Sequence, residues 1–260
     1  MTGKVYLIGA GPGDPDLLTV RALHLLQGAD VVVHDRLVSP EIMDLVPAAT
    51  RRVAVGKAAG CHPVPQDRIN RILIDLGASG LVVARLKGGD PGIFGRGGEE
   101  AEELTAAGIP WEYVPGITAA QGAAAAAGIP LTHRGLTTGL RYVTGHRAGD
   151  AALDLDWASL ADPGTTLAVY MGAANMAEIS ARLMGQGMPA DLPVLAVSQA
   201  TTPRERRLRG TLSGIAALLA ENPMPAPVLF IIGHVAALES PAHLPLIPQA
   251  ACPALAACLP

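Results

Sequence analysis

Residues 85–100 read RLKGGDPGIFGRGGEE. Gly88, Gly89, Asp90, Pro91, Gly92, Gly95, Gly97 and Gly98 crowd these sixteen positions, a composition that suits neither a helix interior nor a strand interior. Before the loop, LVVAR at 81–85 is an apolar run of strand length. After it, EEAEELTAA at 99–107 predicts a helix with acids in its first turns, where the dipole favours them. A glycine-rich loop therefore leaves a strand and enters a helix. Glycine has no Cβ to hold backbone away from a ligand, so such a loop suits close contact with a small molecule.

The start of the chain repeats this arrangement. KVYLIG at 4–9 is a strand pattern, GAGPGDP at 9–15 a glycine loop and LLTVRALHLLQGA at 17–29 a helical pattern. That order predicts a nucleotide or nucleoside site at the carboxyl end of a parallel strand. VVVHD at 31–35 adds a strand ending in an acid, which invites comparison with a dinucleotide-dependent oxidoreductase. The spacing argues against it. Gly9 and Gly11 fit the first and third fingerprint positions, but the sixth is Asp14, whose carboxylate would face a pyrophosphate. Pro12 also removes a backbone donor from the loop. The expected ligand is a nucleoside without phosphates.

Further out, strands are expected near 4–9, 31–34, 52–55, 81–86 and 112–114, and helices at 17–28, 66–77, 99–107 and 118–127. This alternation predicts a parallel, doubly wound α/β layer over residues 1–133. GIPLTHRGLTTG at 128–139 reads as a joint. LRYVTG, TTLAVYMG, PVLAVSQ and APVLFIIG are strand-like, and helical patterns at 174–186 and 211–221 separate some of them. A second α/β domain is expected over 135–238. RERRLRG at 204–210 reads as an exposed hairpin strand. The Pro-rich tail, 239–260, has prolines at 241, 245, 248, 253 and 260, too many for a membrane helix, and is expected along the surface or poorly ordered.

Half of the 260 residues are hydrophobic, so the chain can bury a sizeable core, built on Ala, Val, Leu and Ile because aromatics make up only 3%. A net charge of −4 with no basic tract points away from nucleic acid. KVYLIG is too short for a signal segment and runs straight into a glycine loop, so no signal segment is expected. Cys61, Cys252 and Cys258 have no metal-ligand spacing and cannot all pair, as suits a reducing cytoplasm.

The motifs GAGPGDP, HDRLVS at 34–39, VGK at 55–57, RLKGGDPGIFGRGGEE, VPGITAA at 114–120, GIPLTHR at 128–134, TGH at 144–146 and YMG at 170–172 follow in order. Over residues 4–238 the chain resembles the tetrapyrrole methylases, S-adenosylmethionine enzymes; HDRLVS, VGK and GRGGEE point to the branch acting on uroporphyrinogen III. The resemblance implies two α/β domains, the second with a mixed sheet, and a cleft between them. It implies two methylations, at ring positions 2 and 7, giving precorrin-2 for sirohaem or cobalamin, and a homodimer. Other classes compatible with parts of the sequence are a precorrin-type or diphthine-type methyltransferase and a non-catalytic tetrapyrrole-binding module.

Carried over residue by residue, the resemblance puts Pro12, Gly88, Gly89, Asp90, Ile93, Thr118, Ala119, Met171 and Ala200 on the methyl donor. Asp90 and backbone carbonyls suit a cation. Thr118 also stands where an N-cap belongs, before AAQGAAAAA, and Met171 also suits a core position. The resemblance makes Asp35 a proton acceptor and Lys57 a proton donor. Asp35 could equally pair with Arg36 or cap a helix, and Lys57 could anchor a substrate carboxylate. The acceptor carries eight carboxylates, so cations within the motif loops are candidate anchors: Arg36, Arg85, Arg96, His133, Arg134, His146 and Arg147. His133 and His146 lack a second ligand at helical or turn spacing, so no metal is expected. The chain departs from the family pattern at His34, where Tyr is usual, at Gly92, where Phe would supply an apolar wall, and at Ala200, where Gly is common.

Overall fold

The computed structural model describes residues 3–56, 64–146 and 153–238. The first sheet contains β1 (Lys4–Gly9), β2 (Val31–His34), β3 (Arg51–Ala54), β4 (Val82–Lys87) and β5 (Trp111–Val114). Its order is β3-β2-β4-β1-β5 and every pairing is parallel. Helices α1 (Val20–Gly28), α2 (Pro40–Met43), α3 (Gln66–Ala78) and α4 (Gly97–Ala106) cover it. The central strands β1, β2 and β4 are buried on both faces, which explains their near-continuous apolar runs. Ile8, Val32 and Leu86 pack with Leu26 of α1 and Ile42 of α2. Leu7, Val31, Val33 and Val83 pack on the other face with Leu73 of α3 and Leu104 of α4.

The second sheet contains β6 (Gly139–Thr144), β7 (Thr165–Tyr170), β8 (Pro193–Ser198), β9 (Arg206–Thr211) and β10 (Val228–Ile232), ordered β6-β7-β10-β8-β9. Only β6 and β7 pair in parallel, so the sheet is mixed. α6 (Trp157–Leu160), α7 (Met176–Gly185) and α8 (Ile215–Glu221) lie on one face, around the fully buried Phe230. α5 (Ala119–Ala127) lies on the other, where Ala120, Ala123, Ala124 and Ala127 meet Ala168, Leu195, Leu229 and Ile231. α5 thus precedes the joint in sequence but packs on the second sheet. Small alanine side chains let the helix sit close against the strands.

Local chemistry adjusts some element ends. Residues 15–17 form a 3-10 turn capped by the Asp14 carboxylate, so α1 begins at Val20, where the Thr19 hydroxyl accepts from Ala22 N at 3.1 Å. RRLRGT at 206–211 is the edge strand β9, and it continues through Thr211, delaying α8 to Ile215. The short helices α2 and α6 carry no apolar periodicity; each depends on a cap, Ser39 and Asp156 respectively.

Candidate active site

The two glycine loops meet at the carboxyl ends of the adjacent strands β1 and β4. Gly11 N donates to Gly89 O at 3.1 Å, and Gly89 N donates to Gly11 O at 2.7 Å. Both residues have positive φ, +72° and +69°, conformations that suit glycine. Gly9 is excluded from carrying a side chain for another reason: a Cβ there would lie 2.5 Å from Gly116 N and 2.7 Å from Gly89 O. Backbone from three segments is thereby pressed together beneath a cleft of about 340 Å³. That volume falls in the usual range for a small-molecule site.

All nine residues expected on the donor line this cleft: Pro12, Gly88, Gly89, Asp90, Ile93, Thr118, Ala119, Met171 and Ala200. Asp90 also clasps two loops, with Oδ1 accepting from Gly92 N at 2.8 Å and Oδ2 from Gly116 N at 3.0 Å. Thr118 occupies the N-cap position of α5, but its side chain makes no capping bond. Its hydroxyl is 2.7 Å from the Tyr170 hydroxyl, which also accepts from Ala120 N at 3.2 Å. Burial pushes the Tyr170 phenol above its usual range, which keeps it neutral. Met171 is no core residue: it is 49% exposed, with φ of 55°. Phe94 and Arg96, also on the cleft, share this left-handed backbone region.

Asp35 lies on the same cleft. Neither alternative raised by the sequence describes it: its Oδ1 accepts from Leu37 N at 3.0 Å in a local turn, and its Oδ2 lies 3.9 Å from Arg85 Nη2. Lys57 and Arg147 fall outside the described residues. Among the candidate anchors, Arg85 lines the cleft but is buried and bonded to Glu100. Arg96 lines it too, in a bidentate pair with Glu99 at 2.7 and 2.6 Å. Arg36 lines a neighbouring hollow with Arg204. His133, Arg134 and His146 are exposed and line none of the described hollows. Gly92 also lies off the main cleft, in a smaller hollow beside Tyr113, and the Asp90 clasp fixes its backbone. The expected loss of an apolar wall therefore falls on that hollow rather than on the main cleft.

Several cleft residues escaped the sequence reading. Lys87 Nζ lies 2.8 Å from Glu100 Oε1, and both residues are buried. Burial pushes the Lys87 ammonium below its usual range, Arg85 adds to the shift, and Glu100 opposes it. The available signal was spacing: Arg85 and Lys87 stand two apart on one strand, so their side chains share a face. Tyr170 was hidden within a strand motif, and its ring stands 4.9 Å from that of Phe94. Among the described residues, no group of three or more His, Cys, Asp or Glu is arranged to hold a metal ion. No helix among them is long and apolar enough to cross a membrane.

One family model, Tetrapyrrole (Corrin/Porphyrin) Methylases, matches residues 4–216. The uroporphyrinogen-III C-methyltransferase of Paracoccus denitrificans (strain Pd 1222) is 74% identical over 243 residues, covering 94% of this chain and 85% of that protein. A siroheme synthase of Pseudomonas aeruginosa (strain UCBPP-PA14) is 54% identical over 238 residues, 92% of this chain; the chain spans only 51% of that longer protein. Among solved structures, uroporphyrin-III C-methyl transferase from Thermus thermophilus complexed with S-adenyl homocysteine is 41% identical with a TM-score of 0.77, covering 90% of this chain and 98% of that one. The paired glycine loops, the two-sheet architecture and these likenesses converge: the chain belongs to the tetrapyrrole (corrin/porphyrin) methylases.

Proposed function

We propose that this chain transfers methyl groups from S-adenosylmethionine to carbons 2 and 7 of uroporphyrinogen III, giving precorrin-2 by way of precorrin-1. The observation that carries this reading is convergence: residues from Pro12 to Ala200 meet on one cleft that also holds Asp35. The cleft residues fit the donor. Glycine backbone forms a close floor, Ile93, Ala119 and Val197 give apolar walls for a nucleoside, and the Asp90 carboxylate suits a cation. Bound there, the donor supplies an electrophilic methyl group, and the electron-rich pyrrole carbon supplies the electron pair.

This chain's residues then have two tasks. Holding the donor in line falls to Pro12, Gly88, Gly89, Asp90, Ile93, Thr118, Ala119, Met171 and Ala200, and orientation of that kind lowers a barrier by several kcal/mol, up to about 10. Removing the ring proton after methylation falls to Asp35, with Lys57 donating a proton or anchoring a carboxylate. A donor fills most of the cleft volume, so the acceptor lies across the mouth. Leu37, Phe94 and Met171 are exposed there, and Arg96 offers a cation to a carboxylate. The reading extends to a cytoplasmic homodimer, and light scattering tests the dimer.

Anaerobic incubation with S-adenosylmethionine and uroporphyrinogen III, followed by mass spectrometry of the tetrapyrrole, tests the reaction. The expected product has gained two methyl groups. No gain, with donor bound, would move the acceptor to another tetrapyrrole.

A further inference from the structure

Two cationic side chains, Arg85 and Lys87, are sealed into the wall of the cleft, and the Glu100 carboxylate is buried behind them. Arg85 is 2% exposed, Lys87 3% and Glu100 0%. Burying charges costs free energy, and apolar residues of similar volume commonly stabilise a core at least as well. Packing alone therefore does not account for them. Glu100 Oε1 gathers four contacts: Gln66 Nε2 at 3.2 Å, Arg85 Nε and Nη2 at 3.1 Å each, and Lys87 Nζ at 2.8 Å. Arg85 Nη1 donates to Leu86 O at 3.3 Å. The guanidinium is thus held from several sides, with Nη2 standing 3.9 Å from Asp35 Oδ2. Such a group has little freedom to follow a substrate carboxylate. What it faces permanently is Asp35.

We propose that Lys87 and Glu100 are positioning residues for Asp35: a buried ion pair that fixes Arg85 against the Asp35 carboxylate and balances its charge. This rests on Asp35 being the proton acceptor. Charges facing Lys87 are Arg85 on its own strand, Glu100 and Glu99 on α4, and Asp35 beyond β2; Gln66 of α3 is neutral. Arg85, Lys87, Glu100 and ionised Asp35 together are neutral. When Asp35 accepts the ring proton, the group is left with one net positive charge in a poorly solvated wall. That charge favours release of the proton and returns Asp35 to its ionised form for the second methylation.

The test is a titration of the Asp35 carboxyl by NMR in the full chain labelled with ¹³C-carboxyl aspartate, the signal being assigned by its loss in Asp35→Asn. Lys87→Met removes a cation facing Asp35 and is expected to move the carboxyl titration to higher pH, while the wild-type protein sets the reference. Lys87→Arg keeps the charge and leaves the pKa near the wild-type value. The double variant Lys87→Met/Glu100→Gln removes both partners and brings the value back to the wild-type level or below it. In turnover, Lys87→Met lowers kcat at least about tenfold, while calorimetry gives unchanged affinity for S-adenosylhomocysteine. General damage to the fold would instead make the double variant worse and deny rescue by arginine. An unmoved pKa in Lys87→Met, or a further rise in the double variant, overturns the proposal. If Lys87→Met does not fold, Lys87→Gln removes the same cation with a polar side chain and takes its place, with the same two outcomes. Wild-type turnover by Asp35→Asn identifies a different failure, that of Asp35 as the proton acceptor.

Discussion

Asp90 shows how one side chain serves two purposes. It lines the main cleft, yet both its oxygens accept from backbone N–H groups that fix neighbouring loops. Asp90→Ala therefore removes a charge and two loop ties together. Donor affinity by calorimetry is expected to fall at least about tenfold, the scale of losing hydrogen bonds to a charged group. Unchanged affinity would remove Asp90 from the donor site. Met171 makes a second case. A residue other than glycine in the left-handed region costs roughly 1–2 kcal/mol of backbone strain. Met171→Gly should relieve that strain and raise the melting temperature while weakening the donor, so thermal unfolding and calorimetry are expected to move in opposite directions. A fall in both would show that the thioether contributes more to the fold than its backbone costs.

Among the elements, the meeting of the β1, β4 and β5 loop ends governs the floor of the cleft. Gly9→Ala would bring a Cβ within 2.5 Å of Gly116 N and 2.7 Å of Gly89 O. These contacts are all backbone, so no side chain can swing aside. Overpacking of this kind costs about 1–3 kcal/mol and should reduce donor affinity about tenfold or more by calorimetry. The strands and longer helices were legible in the sequence because buried parallel strands read as apolar runs and α3 and α7 as amphipathic periods. α2 and α6 were not, since four residues are too few to show a period and only their caps mark them. In the site, Asp90 and Thr118 stood out because glycine loops and a helix start flag them. Tyr170 did not, because its partner Thr118 lies 52 positions away, and the Lys87–Glu100 pair was missed because it crosses from a strand to a helix over 13 positions. Periodicity carries no information about such pairs.

On the scale of the whole molecule, α5 joins what the joint at 128–139 separates. Its alanine face is buried on the second sheet, while its first residues line the main cleft. Expressed alone, residues 1–133 would leave that face uncovered. The fragment is expected to self-associate and to bind a hydrophobic dye, as sedimentation and fluorescence would report. A monodisperse fragment without dye binding would place the alanine face elsewhere.

The cleft of about 340 Å³ has a consequence for traffic through the enzyme. On the function proposed above, it holds one donor with the acceptor over its mouth. Spent donor therefore leaves only after the macrocycle has lifted away, so each methylation is a separate visit. A ring modified once is released into a crowd of unmodified rings and must compete with them for its second visit. With acceptor in large excess, a time course should show the singly methylated ring building up before the doubly methylated one. Scarce acceptor should shorten that lag.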